Sequence, residues 1–238
     1  VLPTAYFTFP ESDVTGTEEP GILAYGPVAY TEKTGTGSGD AKPVAIFARL
    51  KRAYAKVTVN YTAGTGVSIT ALRVENIPTR IYPFPATGNS PTDAFMNVDL
   101  TVNAGQTTYS FFMPENLRGN GTSITAKEKN QPDNGPTQSG SARNLDYCTC
   151  IVLTGTYNYY PNNTPENAAN PISVEYRFYP GADMIRNYDI ERGKHYTLTL
   201  DLKGANSADA RVTITDGNVF TIADPDDVTH KDDIVFGE

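Results

Sequence analysis

Residues 173–204 read SVEYRFYPGADMIRNYDIERGKHYTLTLDLKG, and this stretch decides the fold class. Two segments alternate, Val174–Tyr179 and Lys194–Lys203, around a centre holding Pro180, Gly181, Asn187 and Gly193. In the second segment Tyr196, Leu198, Leu200 and Leu202 share one face and His195, Thr197, Thr199 and Asp201 the other, the period-two pattern of a half-buried strand. In the first, Val174, Tyr176 and Phe178 are expected to face inward. The centre is too long for a tight hairpin, so the two strands either pair through a wide loop or lie in different sheets of a sandwich.

The composition agrees with strands. A chain of 238 residues suffices for one large all-β domain or two small sandwiches. Its 20 Gly, 17 Pro and 15 Tyr, with no Trp, suit short strands joined by many turns and predict little helix. A formal net charge of −8 argues against nucleic acid, because a phosphate-binding surface needs clustered Lys and Arg. The local run Arg49, Lys51, Arg52 and Lys56 lies in an alternating segment, Leu50–Val59, and reads as solvated strand charges. No apolar run approaches the ~20 residues of a membrane-spanning helix. The start at Val1-Leu2-Pro3, without Met, reads as a processed or trimmed chain.

Outward from the opening stretch, Ala5–Phe9, Ile22–Tyr30, Val44–Val59, Val67–Glu75, Thr79–Phe84, Ala94–Val102, Thr107–Met113 and Asp146–Tyr159 carry strand patterns. Thr31–Pro43 is a Gly, Ser and Thr loop that lacks the Gly-Lys-Ser/Thr ending of a phosphate-binding loop. The proline-punctuated run Phe84–Asp93 is the best candidate domain boundary. Asn116–Asn144 is long and polar, and mobility is the expectation for it. Arg211–Thr215 and Asn218–Ile222 predict a hairpin around Asp216-Gly217. An acidic linker, Ala223–Asp233, precedes a last apolar triplet, Ile234-Val235-Phe236.

Catalytic spacing is absent from these patterns. There is no Gly-x-Ser-x-Gly elbow and no His-Glu-x-x-His pair, and His195 sits on the polar face of its strand. Cys148 and Cys150 point to one side of a strand, a spacing unsuited to a disulfide, and read as two small buried thiols. With His195 and His230 offering no ligand spacing, neither a metal nor another cofactor is expected. Asp224, Asp226 and Asp227 lack the spacing of a calcium loop and read as solvated linker. Tyr157, Tyr159 and Tyr160 can either stack on sugar rings or cover a sheet.

Four segments in order carry a family likeness: RLKRAYAKV from Arg49, VENIP from Val74, FFMPEN from Phe111, and the opening stretch with YRFYPG at Tyr176, NYDI at Asn187 and RGKHYTL at Arg192. Over roughly residues 44 to 204 this order resembles the fimbrillins, the pilus subunits of Bacteroidales bacteria. The resemblance implies two consecutive transthyretin-like β-sandwich domains, here 1–92 and 93–238, the first reduced or N-terminally incomplete because the segment before Arg49 is short for the family. It further implies export as a lipoprotein, proteolytic processing, and assembly with other fimbrial subunits at the cell surface, with the outer membrane met only through a processed lipid anchor.

Assembly in that family proceeds by strand exchange, in which main-chain ladder bonds supply affinity and alternate side chains fill pockets. The strand-exchange candidates are Val1, Leu2, Tyr6 and Phe7 at one end and Ile234, Val235 and Phe236 at the other. The alternative is a carbohydrate-binding tip or surface module, meeting host or bacterial glycans or proteins through Tyr157, Tyr159, Tyr160 and the Asn116–Asn144 loop. A glycoside hydrolase is the third reading and requires two facing carboxylates.

Overall fold

The computed structural model describes residues 6–16, 23–32, 44–82, 90–137, 142–158, 171–204, 212–214 and 228–231. In chain order the elements are β1 (Phe7–Thr8), α1 (Glu11–Val14), β2 (Leu23–Glu32), β3 (Val44–Arg52), β4 (Tyr54–Ala63), β5 (Val67–Pro78), β6 (Arg80–Ile81), β7 (Phe95–Leu100), β8 (Thr108–Pro114), β9 (Cys150–Tyr157), β10 (Ile172–Phe178), β11 (His195–Leu202), β12 (Val212–Ile214) and β13 (Val228–Lys231). The all-β expectation holds. Among the described residues α1 is a single turn, and two 3-10 turns, Glu128–Asn130 and Pro132–Asn134, complete the helical content.

Two sheets form the sandwich. The larger has the order β12-β10-β9-β5-β7 and the smaller β13-β11-β4-β8. Separate two-stranded ladders join β1 to β6 and β2 to β3. The alternation of the opening stretch is realised on both of its strands: Val174, Tyr176 and Phe178 are fully buried, as are Tyr196, Leu200 and Leu202, with Leu198 close behind. Of the two arrangements left open by the sequence, the structure takes the second, since β10 and β11 lie in different sheets. Their inward side chains meet Leu72, Val74, Ile151 and Leu153 from the larger sheet and Val57, Val59, Phe111 and Met113 from the smaller in one core.

Three local expectations change. The alternating run Leu50–Val59 is interrupted at Ala53, which separates β3 from β4, and Tyr54 is buried beside its inward neighbours. β5 runs through the expected break at Asn76, which adopts φ 58° and bulges the ladder between Val74 and Ile77. This left-handed conformation is one that Asn tolerates better than most residues. The boundary expected between residues 92 and 93 does not divide the sheets: β4 and β5, before it, pair with β8, β11, β7 and β9, after it. Each sheet of the sandwich therefore takes one interior strand, β5 or β4, from before residue 92 and its other described strands from after it, while β1, β2, β3 and β6 form the separate ladders.

The long polar loop is also corrected. Its described parts, 116–137 and 142–144, are tied down instead of mobile. They lie near a second small apolar cluster made of Cys148, Cys150, Val152, Tyr179 and Tyr188. The parity of β9 explains this cluster, since Ile151 and Leu153 point into the sandwich and Cys150 and Val152 point away from it. Neither cysteine is in a disulfide, both are buried, and burial pushes each thiol up to about 12. The predicted hairpin around Asp216-Gly217 is represented only by β12, its turn and second strand lying outside the described residues.

Candidate functional site

The N-terminal segment enters the sandwich through two side chains. Phe9 and Val14 are 1% and 0% exposed and belong to the main core. The turn of α1 that carries Val14 packs against β7 and β8, each at the edge of its sheet. Main-chain attachment is slight by comparison: β1 pairs with β6 over two residues, and the Phe9 N–H donates to the Thr79 carbonyl at 2.8 Å. Burial of the two side chains, about 2 kcal/mol each, therefore holds the segment more than its ladder does.

The sequence candidates in this region divide accordingly. Tyr6 and Phe7 are exposed, at 47% and 53%, so they sit on the surface of the insertion and do not fill it. Arg80 lies over the Tyr6 ring, 4.5 Å from its centre, and pairs with Asp93 at 2.5 Å. Val1, Leu2, Ile234, Val235 and Phe236 fall outside the described residues. In sequence Phe9 is one of several apolar residues of Ala5–Phe9, with nothing to single it out as the inward one, and Val14 is an isolated apolar residue in the polar run 11–19 that no period marks.

Beside the insertion is a recess lined by Arg80, Ile81, Tyr82, Ser90, Glu115 and Arg192. Its floor is an ion pair, Arg192 Nη2 to Glu115 Oε1 at 3.1 Å, with both side chains under 10% exposed. Arg192 Nη1 also donates to the Tyr82 carbonyl at 2.8 Å. Removing one member of such a buried pair strands the other charge, which costs about 3–5 kcal/mol.

This pair joins two motifs that are distant in sequence. Asn116 and Ile190 exchange main-chain hydrogen bonds at 2.8 and 2.9 Å, so the FFMPEN and NYDI segments form one clamp. Asn116 is fully buried; its amide donates to the Tyr147 carbonyl and the Thr149 hydroxyl, and it accepts from Arg118 Nε at 2.7 Å. Arg118, also buried, donates to the carbonyls of Ser90 and Pro91. Asp189 accepts from the N–H groups of Arg118 and Gly119, while Asn187 donates to Asn120 and Asp189. The motif residues are thus structural, each meeting polar groups that the sandwich would otherwise bury without partners.

The remaining candidates are placed as follows. Tyr157 is 8% exposed and part of the main core, so it is a sheet-covering residue whose ring is not open to a sugar. Tyr159 and Tyr160 lie outside the described residues, as do Asp224, Asp226 and Asp227. His195 Nε2 bonds to the Thr58 hydroxyl at 2.8 Å, and burial, then Lys56, lowers its pKa. Among the described residues no three His, Cys, Asp or Glu side chains converge on a metal position, and no helix is long and apolar enough to cross a membrane.

A family model described as a domain of unknown function, DUF4906, matches residues 111–200, the region of the clamp. No curated protein matches. Among solved structures, the chain is similar to the tip fimbrial protein Mfa3 of Porphyromonas gingivalis, with 14% identity, a TM-score of 0.40, and 70% of this chain and 50% of that one covered. It is also similar to a Bacteroides eggerthii protein assigned to cell adhesion (17%, 0.37, 77% and 56%) and to the fimbrilin FimA of Porphyromonas gingivalis (14%, 0.36, 76% and 62%). The chain spans between half and two thirds of the length of these three structures.

Proposed function

We propose that the chain is a structural, non-enzymatic subunit of a cell-surface fimbria that joins its neighbours by β-strand exchange at the position now held by residues 6–16. The observation that carries this reading is the mode of attachment of that segment: two fully buried side chains and a two-residue ladder, between the edge strands of both sheets. An insert held by two side chains and so short a ladder can give way to a strand that presents apolar side chains to the same core positions and adds the main-chain bonds the insert lacks. The ordered resemblance over residues 44–204 supports the same reading. Export as a lipoprotein, proteolytic removal of the N-terminal strand, and location at the outer membrane or in the extracellular fimbrium belong to this proposal.

The exchange is tested with a chain lacking residues 1–16. The expected outcome is that it takes up a peptide carrying Ile234-Val235-Phe236, and that Ile234→Asp with Phe236→Asp abolishes uptake. Failure to bind this peptide or one carrying residues 1–16 would sink strand exchange. Equal binding of the wild-type and doubly substituted peptides would sink only the donor role of the tail.

A further inference from the structure

An exposed aromatic pairing also lies away from the insertion, at the edge of the larger sheet. Tyr147 is 37% exposed and stacks on Phe95 of β7, with ring centres 5.5 Å apart and planes 27° from parallel. Phe95 in turn lies 5.7 Å from the guanidinium carbon of the buried Arg118. The stack is therefore anchored from beneath by the clamp, and the Asn116 amide fixes the Tyr147 carbonyl at 2.9 Å.

The backbone at Tyr147 is unusual. The Cys148 N–H donates to the Leu145 carbonyl at 3.2 Å, closing a turn in which Tyr147 is the third residue, and its φ is 63°. Asp146, the second residue, has no such positive φ. A turn with positive φ at the third position only is the type II class, where Gly or Asn is favoured and a bulky side chain is strained. A strained residue that holds an aromatic ring toward solvent is an outlier that calls for a functional reason.

The surroundings select the ligand. Phe95, Asn97 and Asp99 fall on one face of β7 at a two-residue repeat, roughly 7 Å apart. Asn97 and Asp99 are exposed, and so is Asp146 in the turn. An aromatic face with an electron-rich surface attracts the polarised C–H groups of a pyranose, and neighbouring amide and carboxylate groups bond its hydroxyls. Asp99 pairs with Arg73 at 3.5 Å, so Asp146 is the carboxylate that, in a chain of net charge −8, opposes sialic and uronic acids. We propose that Tyr147 and Phe95, flanked by Asn97, Asp99 and Asp146, form a binding site for uncharged sugar rings of an oligosaccharide. The site is independent of strand exchange and differs from the Tyr157–Tyr160 platform expected from sequence.

The test uses the whole chain and a panel of neutral trisaccharides together with the methyl glycosides of galactose, glucose and mannose, with binding followed by the ring-proton shifts of tyrosine. At least one probe is expected to bind, with affinity reduced tenfold or more in Tyr147→Ala and retained within about threefold in Tyr147→Phe. Tyr147→Gly suits the turn, so it is expected to keep the fold, raise the melting temperature and lose binding. Absence of binding by the wild-type chain to every probe at millimolar concentration would overturn the proposal. So would affinity unchanged in Tyr147→Ala, or a binding probe whose shifts leave the Tyr147 ring unperturbed.

Discussion

Lys129 shows what a single residue does when its surroundings are decided elsewhere in the chain. It is 1% exposed; its Nζ donates to the Asp183 carbonyl at 2.7 Å and lies 4.9 Å from the centre of the Tyr188 ring. Burial, only partly opposed by Asp183, lowers its pKa from 10.5 to about 7. In the unfolded chain the amine stays protonated to about 10.5, so below pH 7 the folded state carries the full cost of burying a charge. That cost fades as pH rises from about 7 to 10.5. Urea unfolding of the wild type and Lys129→Met at pH 6, 8 and 10 is expected to show the wild type gaining on the variant as pH rises. The gain should amount to a few kcal/mol in total. A difference independent of pH would show that Lys129 is solvated in the folded chain. The sequence offered no sign of this burial, because Lys129 sits in the polar run 116–144, where solvation is the default for lysine.

Among elements, the clamp between residues 116–122 and 179–190 is held by side-chain-to-backbone hydrogen bonds that leave no period in the sequence. Ala182 N and Asp189 N both donate to Asn187 Oδ1, at 2.7 and 2.9 Å. Asp183 Oδ1 accepts from the N–H groups of Ile185, Arg186 and Asn187. Gly181 is required by this packing, since a Cβ there would lie 1.9 Å from the Asn187 carbonyl oxygen. Gly181→Ala must therefore open the clamp, at a cost of about 1–3 kcal/mol. Amide exchange is expected to quicken at 116–122 and 179–190 while β4, β9 and β11 stay protected; exchange unchanged in the clamp would refute the packing argument. By contrast, β10 and β11 were readable in full, because burial of one sheet face writes its own alternation into the chain.

At the scale of the whole molecule, β4 beside β11 is the pairing on which the smaller sheet depends, and it is parallel over eight residues from His195↔Lys56 to Leu202↔Ala63. Parallel neighbours need a crossover, and here it runs from β5 to β10 and includes four of the five strands of the larger sheet. Residues 1–92 and 93–238 expressed separately are accordingly expected to be unfolded each alone, and to regain β-sheet circular dichroism only when mixed. A stably folded 93–238 fragment would restore the two-domain expectation. The sequence by itself determined that the chain is all-β, which faces of β10 and β11 are buried, and that Cys148 and Cys150 are buried thiols, because alternation and side-chain size are local properties. The tertiary structure alone decided that the halves interleave, that Phe9 and Val14 fill the core, and that Tyr157 is closed to solvent while Tyr147 is open. These outcomes rest on contacts between residues far apart in the chain, such as Thr58 with His195, and long-range pairing leaves no periodic trace in either partner's own segment.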